Sequence, residues 1–389
     1  MRAFIVHAPR VISPLNAPAR DAWIFDRPLG ELMLSLFERT GLSVETAGSL
    51  AEAEARAQTE PDGALILLDS VVCSRIVLRR FLRAAKRRRG DGSFVCALPR
   101  SVSSDLIAHV GGLERAVSAS GSEVWSAPLY FIRGKASIAS AEVCVIAQNE
   151  RPASLPLPAG MIAGKSEEPY AIADAVLCNV GHWVHILRVN TALIGASWFE
   201  RIGAGYYFFG IAWLLFRVLL AFPWVGGRVA ESIRHVNRRA EVHHTASIEF
   251  GIVHAGAIVA KHTSVQFSVI CAGARIEPGA QVFGSVIGPG AIVGRNSVVI
   301  ASVVYPDALA GQFLMQLSVL GTASCAFTNS AFFDLNFARN VRVKDGERFA
   351  DAGSHFLGVC VGPRARVGAG VWVASGREIS ADALVVKPA

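Results

Sequence analysis

Three features of the sequence predict an α/β domain followed by a left-handed parallel β-helix. Strands and helices alternate from residue 1 to about residue 195, aliphatic side chains recur every six positions after Val242, and a nearly uncharged segment separates the two patterns. A chain of 389 residues is long enough for two domains with separate cores, so neither a disulfide nor a metal staple is needed. The expected division is an α/β domain over 1–195, an apolar helical connector over 196–240 and a β-helix over 241–389 with an inserted loop at 305–357.

In the first domain, residues 3–6 read as a strand, 29–40 as an amphipathic helix, 43–46 as a strand and 51–58 as a helix. Residues 64–68 form a short apolar strand ending in Asp69, and 75–88 form a basic helix. Strict alternation implies a parallel sheet with helices on both faces, and such sheets bind ligands at the carboxyl ends of their strands. Asp69 stands at such an end, as a turn or cap residue or as a metal ligand. Gly164-Lys165-Ser166 lacks the upstream glycine of a phosphate loop and reads as a turn.

The net charge of +7 is concentrated in Arg75, Arg79, Arg80, Arg83 and the run from Lys86 to Arg89. This is a solvated helix face or a docking patch for acidic lipid, a phosphorylated ligand or a partner. Without interleaved aromatic residues or a recognition motif, nucleic acid is not an expected partner. The seven cysteines are scattered, without a C-x-x-C pair, and read as buried apolar residues of a reducing compartment. The opening MRAFIVHAPR has too short an apolar run for a signal peptide, so a cytoplasmic start is expected.

Mean hydropathy is +0.40, and its source is the segment 206–224, YYFFGIAWLLFRVLLAFPW, with Arg217 its one charge in nineteen residues. That length could cross a bilayer, but a crossing would put the two halves on opposite sides. The other readings are an interfacial or re-entrant contact and a helix buried between domains or in an oligomer interface. Terminal aromatics and the following Arg228, Arg234, Arg238 and Arg239 suit an anionic leaflet, giving a cytoplasmic location peripheral to the inner membrane.

In the repeat half, Val361, Val367, Val373, Ile379 and Val385 fall at six-residue steps. A second run is Ile252, Ile258, Ser264, Ile270, Ile276 and Val282, and a third is Val286, Ile292, Val298 and Val304, with four-residue steps at tightened corners. Each six-residue unit makes one face of a triangular prism, with one aliphatic pointing inward and small residues at the corner. An antiparallel sandwich would need period-two alternation and frequent hairpin turns instead. Between Tyr305 and Leu357 the pattern loses phase and becomes aromatic, as an inserted loop or as coils with inserted corners.

The residues from Val341 to Ile379, VRVKDGERFADAGSHFLGVCVGPRARVGAGVWVASGREI, resemble in order and spacing the closing coils of sugar-1-phosphate nucleotidylyltransferases that carry a left-handed β-helix. The resemblance is especially to the archaeal-type bifunctional enzymes that also acetylate amino sugars. DRPLGELMLSLFERTG, from Asp26, resembles the family's N-K-P-L segment and helix. GALILLDS, from Gly63, is similar to the strand ending in its metal-binding Asp, and HWVHILRVN, from His182, to its W-x-D-L-L helix. The resemblance implies a Rossmann-like nucleotidyltransferase-type first domain and a trimer of β-helices. If the chain is active, it also implies Mg²⁺ with a nucleoside triphosphate and a sugar phosphate, or acetyl-CoA.

Departures from the family shape the functional expectation. Its glycine-rich L-x-x-G-x-G-T-R loop supplies converging amides to a triphosphate. Here the stretch reads HAPRVISPLNAPARDAW, with three prolines and no glycine. His185 replaces the Asp of W-x-D-L-L, and Phe356 and Pro363 replace the Lys of K-L-G and the Asp of I-G-D. The family's His and Tyr fall on Gly311 and Leu314, and Asp334 takes the place of its Asn. A binding or scaffold protein that has lost both chemistries is therefore expected. One alternative is an active nucleotidylyltransferase in which Asp69 holds the metal and Arg10 or Arg20 faces phosphate. The other is an acyltransferase using Asp334 and His355, with histidine the usual base for acyl transfer. No histidines are spaced as a trimeric γ-type carbonic anhydrase requires.

Overall fold

A computed structural model describes residues 1–88, 90–162, 164–203, 233–311 and 313–387. Arg89, the 206–224 segment and Arg228 lie outside the described residues. The chain forms two compact units, Met1–Ile12 with Ala17–Ala192, and Ser13–Asn16 with Leu193–Ala389.

The first unit is a mixed α/β fold. Its strands are β1 (Arg2–Val6), β2 (Ser43–Ala47), β3 (Ala64–Leu68), β4 (Gly92–Pro99), β5 (Glu114–Val117), β6 (Glu123–Arg133) and β7 (Glu142–Val145), in sheet order β7-β4-β6-β3-β1-β2 with β5 beside β6. Helices α1 (Leu29–Arg39), α2 (Leu50–Ala57), α3 (Arg75–Arg87) and α4 (Val102–Ala108) lie between strands. Phe4, Val6 and Ile66 share one buried cluster with Ala53 and Ala57 of α2, as period-two strands facing a helix require. Ser49 caps α2, its side chain accepting from the Glu52 amide at 3.1 Å.

The sheet departs from the parallel expectation at one strand. β2, β1 and β3 are parallel, as are β4 and β7, but β6 runs antiparallel to both β3 and β4. The eleven residues of β6 carry no mark of direction, because the two-residue period of a strand is the same read from either end. After the sheet comes a hairpin, Glu150–Pro156 with Glu167–Ala173, which contains Lys165 in its loop. Helix α5 (Trp183–Gly203) then begins in the first unit and continues into the second.

The second unit is built from parallel strands in three stacks. His235–Val236, Ile252–Val253, Val269–Ile270 and Val286–Ile287 open one stack; Glu241–Val242, Ile258–Val259 and Arg275–Ile276 open the next; Ser247–Glu249, Ser264–Gln266 and Gln281–Phe283 open the third. From His235 to Ala310 successive strands fall on successive stacks, and each pairs with the strand three further on. This is the arrangement of a parallel β-helix. Ile252 N donates to Ser268 O and Val269 N to Ser285 O, both at 2.9 Å, so the backbone groups of each coil are satisfied by the next.

The six-residue rule holds with a different phase over the early coils. The buried column runs Ile248, Val253, Val259, Val265, Ile270, Ile276, Val282, Ile287, Val293 and Val299. Ile258 and Ser264 of the expected run are only partly buried, and it is the following valine that points inward. The expected four-residue corners are five-residue steps, one per coil, giving seventeen residues per turn of the chain. Adjacent aliphatic pairs such as Ile258-Val259 hide the phase, since neighbours in a strand face opposite sides.

Two further boundaries differ. Coil strands begin at His235, inside the region expected as connector. They also continue through Tyr305, since Val303 pairs with Val319 and Leu309 with Cys325. The excursion from the coil is confined to residues 334–357, shorter than 305–357, and contains a hairpin of Arg342–Asp345 with Arg348–Asp351. Aromatics that read as an inserted loop, among them Phe327 and Phe333, lie on the outside of coils that keep their place.

Candidate functional site

In the first unit, the chain leaves β1 toward β2 on one side, and β3 lies on the other side of β1. Ligands of open α/β sheets bind in the crevice where the strand order reverses in this way, outside the carboxyl ends. Asp69, just past β3, and His7, just past β1, meet there. The Asp69 amide donates to Val6 O at 2.9 Å, which brings the two strand ends together.

Asp69 is nearly buried. Its Oδ1 accepts the Ala8 amide at 2.8 Å, and its Oδ2 lies 2.8 Å from His7 Nδ1. A carboxylate only accepts, so His7 Nδ1 carries a proton and donates. The His7 side chain is 53% exposed and that of Asp69 6%, so an inner acid orients an outer imidazole. Arg20 Nη1 lies 3.9 Å from Asp69 Oδ2 and 3.0 Å from His7 Nδ1. Since Nδ1–H and the guanidinium are both donors, Arg20 acts through its charge on Asp69.

Arg10 lies against Gly181, where a Cβ would come within 3.2 Å of its Nη1. Ser70 continues the polar rim, its Oγ donating to Asn179 Oδ1 at 2.7 Å. The stretch after β1, expected to lack an amide cradle, folds into a short hairpin of Val11–Ile12 with Ala17–Pro18. Its tip, Ser13–Asn16, is grouped with the second unit, where Ser13 Oγ donates to Glu378 Oε2 at 3.0 Å.

His185 is fully buried near the start of α5. Its Nδ1 accepts the amides of Gly181 at 3.0 Å and His182 at 3.1 Å, and its Nε2 donates to His109 O at 3.0 Å. Burial foremost, with the charges of His182, Arg188 and Arg10, lowers its pKa to about 3, so the ring is neutral. Gly112 leaves room for it, since a Cβ there would sit 3.0 Å from the ring.

The second pair of expected residues lies in the excursion of the β-helix. Asn336 N donates to His355 O at 2.9 Å, Leu357 N donates to Asp334 O at 2.7 Å, and a bridge joins Leu335 to Phe356. Asp334 and His355 thus stand on two antiparallel arms at the base of the excursion. His355 is 8% exposed, and its Nδ1 donates to Asn336 O at 2.8 Å. Burial pushes the Asp334 carboxyl above the usual carboxylate range.

The fold therefore brings Asp69 and Arg20 to one crevice and Asp334 and His355 to one pair of arms. His7 has no motif around it in the sequence; its one signal is that it directly follows the first apolar strand. The guanidinium groups of Arg10 and Arg20 fit a phosphate. A Mg²⁺ ion fits less well: both Asp69 oxygens already accept hydrogen bonds, and no group of three His, Cys, Asp or Glu is arranged for a metal among the described residues. No protein-family model and no curated protein matches the chain.

Proposed function

We propose that the chain is a divergent relative of the sugar-1-phosphate nucleotidylyltransferases that carry a left-handed β-helix, and that it is a binding or scaffold protein without transfer chemistry. The observation that carries this reading is the engagement of Asp69. Its carboxylate holds the Ala8 amide and His7 instead of standing beside a second acid, and a proline-containing hairpin follows β1. A sugar phosphate or nucleotide would be held as an anion by Arg10 and Arg20. The seventeen-residue coil with three inward rungs supports the left-handed form. A trimer and a cytoplasmic location peripheral to the membrane complete the proposal, the latter resting on the composition of 206–224. No helix among the described residues is long and apolar enough to cross a membrane.

The test combines calorimetry with product assays, using UTP, dTTP and acetyl-CoA with and without magnesium and a sugar 1-phosphate. The expected result is no pyrophosphate release and no acetyl transfer, with any nucleotide heat independent of magnesium and reduced in Arg10→Gln and Arg20→Gln. Magnesium-dependent nucleotide binding lost in Asp69→Ala, together with pyrophosphate release, would overturn the proposal in favour of an active nucleotidylyltransferase. A second reading, acyl transfer, is favoured by the orientation of His355, whose Nδ1–H is held by a carbonyl as a general base requires. It predicts binding of acetyl-CoA alone, weakened by His355→Ala.

A further inference from the structure

We propose that α3 is a docking face for an anionic phospholipid surface, engaged through Arg79, Arg83, Lys86 and Arg87. The proposal rests on the membrane-peripheral reading above but uses residues independent of the 206–224 segment. Burial splits the helix in two: Val77, Leu78, Phe81 and Ala85 are buried, while the four cations are exposed. Their spacing of four, three and one residues puts them on one strip of the helix surface.

Two acids near this helix, Asp174 and Glu142, are taken by other arginines. Arg80 Nη2 pairs with Asp174 at 2.8 Å and Arg88 Nη1 with Glu142 at 2.7 Å. Among the described residues no ion pair joins an acid to Arg79, Arg83, Lys86 or Arg87. Residues 75–89 carry eight basic and no acidic side chains, more than the +7 of the whole chain, so everything else sums to −1. The excess charge of this protein is therefore one stretch of sequence, six of its eight cations on α3.

That concentration works against the helix that bears it. Arg79 with Arg83, and Arg83 with Arg87, are like charges four apart, which repel across one turn. Lys86 and Arg87 suit the carbonyl end of the helix dipole, but Arg79 and Arg83 are too far from that end to gain from it. A bound anionic surface offsets the repulsion. The strip is roughly 12 Å long at the usual helical rise, which suits a plane of headgroups. It presents no aromatic side chain for stacking on bases, which disfavours single-stranded nucleic acid. The apolar 206–224 sequence favours a membrane over a soluble polyanion as the source of phosphate.

The test is sedimentation of the full chain with vesicles of pure phosphatidylcholine and with vesicles containing phosphatidylserine, at low and high salt. Compared are the wild type, a variant with Arg79→Gln, Arg83→Gln, Lys86→Gln and Arg87→Gln, and a deletion of 206–224. The expected result is stronger, salt-sensitive binding of the wild type to phosphatidylserine, reduced about a hundredfold in the quadruple variant. Its thermal unfolding should be unchanged or shifted upward, which separates lost binding from lost folding. Equal phosphatidylserine preference in the quadruple variant would overturn the proposal while leaving the membrane reading intact. Failure of the wild type to sediment with either vesicle would overturn both. Retention of the effect by soluble inorganic phosphate or duplex DNA, binding as tightly through the same four residues at physiological salt, would reassign the face and overturn the lipid proposal.

Discussion

Asp69 and His185 both end up as hydrogen-bond acceptors for backbone amides, one as a carboxylate and one as a neutral ring. For His185 this has a pH consequence. Its folded pKa of about 3 lies below the ordinary histidine value, so the unfolded chain takes up the proton first as pH falls. The stability it contributes is complete above about pH 6.5 and is lost toward pH 3, at roughly 1.4 kcal/mol per pH unit between them. His185→Ala is expected to cost about 2–4 kcal/mol at pH 7.5, from the cavity and the amides left without an acceptor. By pH 5 its deficit should be visibly smaller. Urea denaturation at the two pH values checks this, and an equal deficit at both would count against a neutral buried ring.

The coil corners carry an element-level device that hydrophobic periodicity does not report. Ser268, Ser285, Ser302 and Ser318 are buried at the tight corner, one above another. Ser285 N donates to Ser268 Oγ at 3.1 Å, Ser302 N to Ser285 Oγ at 3.0 Å and Ser318 N to Ser302 Oγ at 3.1 Å, and Val359 N closes the ladder on Ser318 Oγ. Each hydroxyl also donates to a carbonyl two residues back in its own coil, as Ser285 does to Phe283 O at 2.8 Å. Ser285→Ala leaves the buried Ser302 amide without its acceptor and is expected to cost about 1–3 kcal/mol. Ser264→Ala, on the outward face, should stay within about 0.5 kcal/mol. Equal effects of the two in chemical denaturation would show that the ladder contributes nothing.

Over the whole molecule, the two units bury separate cores, one around Phe4, Val6 and Ile66 and the other along the inward column of the coils. Cores that share no residues are expected to melt as separate cooperative transitions. Scanning calorimetry should resolve two, with His185→Ala lowering one and Ser285→Ala the other. Distant sites without shared partners add, so the double variant should show both shifts unchanged. A single transition moved by either substitution would mean that the chain unfolds as one cooperative body.

Much of the fold is legible in the sequence because it depends on local periodicity. Six-residue recurrence identifies the stacked coils, and alternation places α1, α2, α3 and the strands before them within a residue or two. Asp69 could be located because a strand end is a sequence position. The sequence alone does not tell which of two adjacent aliphatics faces inward, since both are apolar and only stacking against the next coil chooses between them. Nor could it show that β6 runs antiparallel, that His7 and Arg20 converge on Asp69, or that serines seventeen residues apart share hydrogen bonds. Those facts are pairings between residues distant in the chain. Periodicity records which side of an element is buried, and only the folded backbone decides what that side meets.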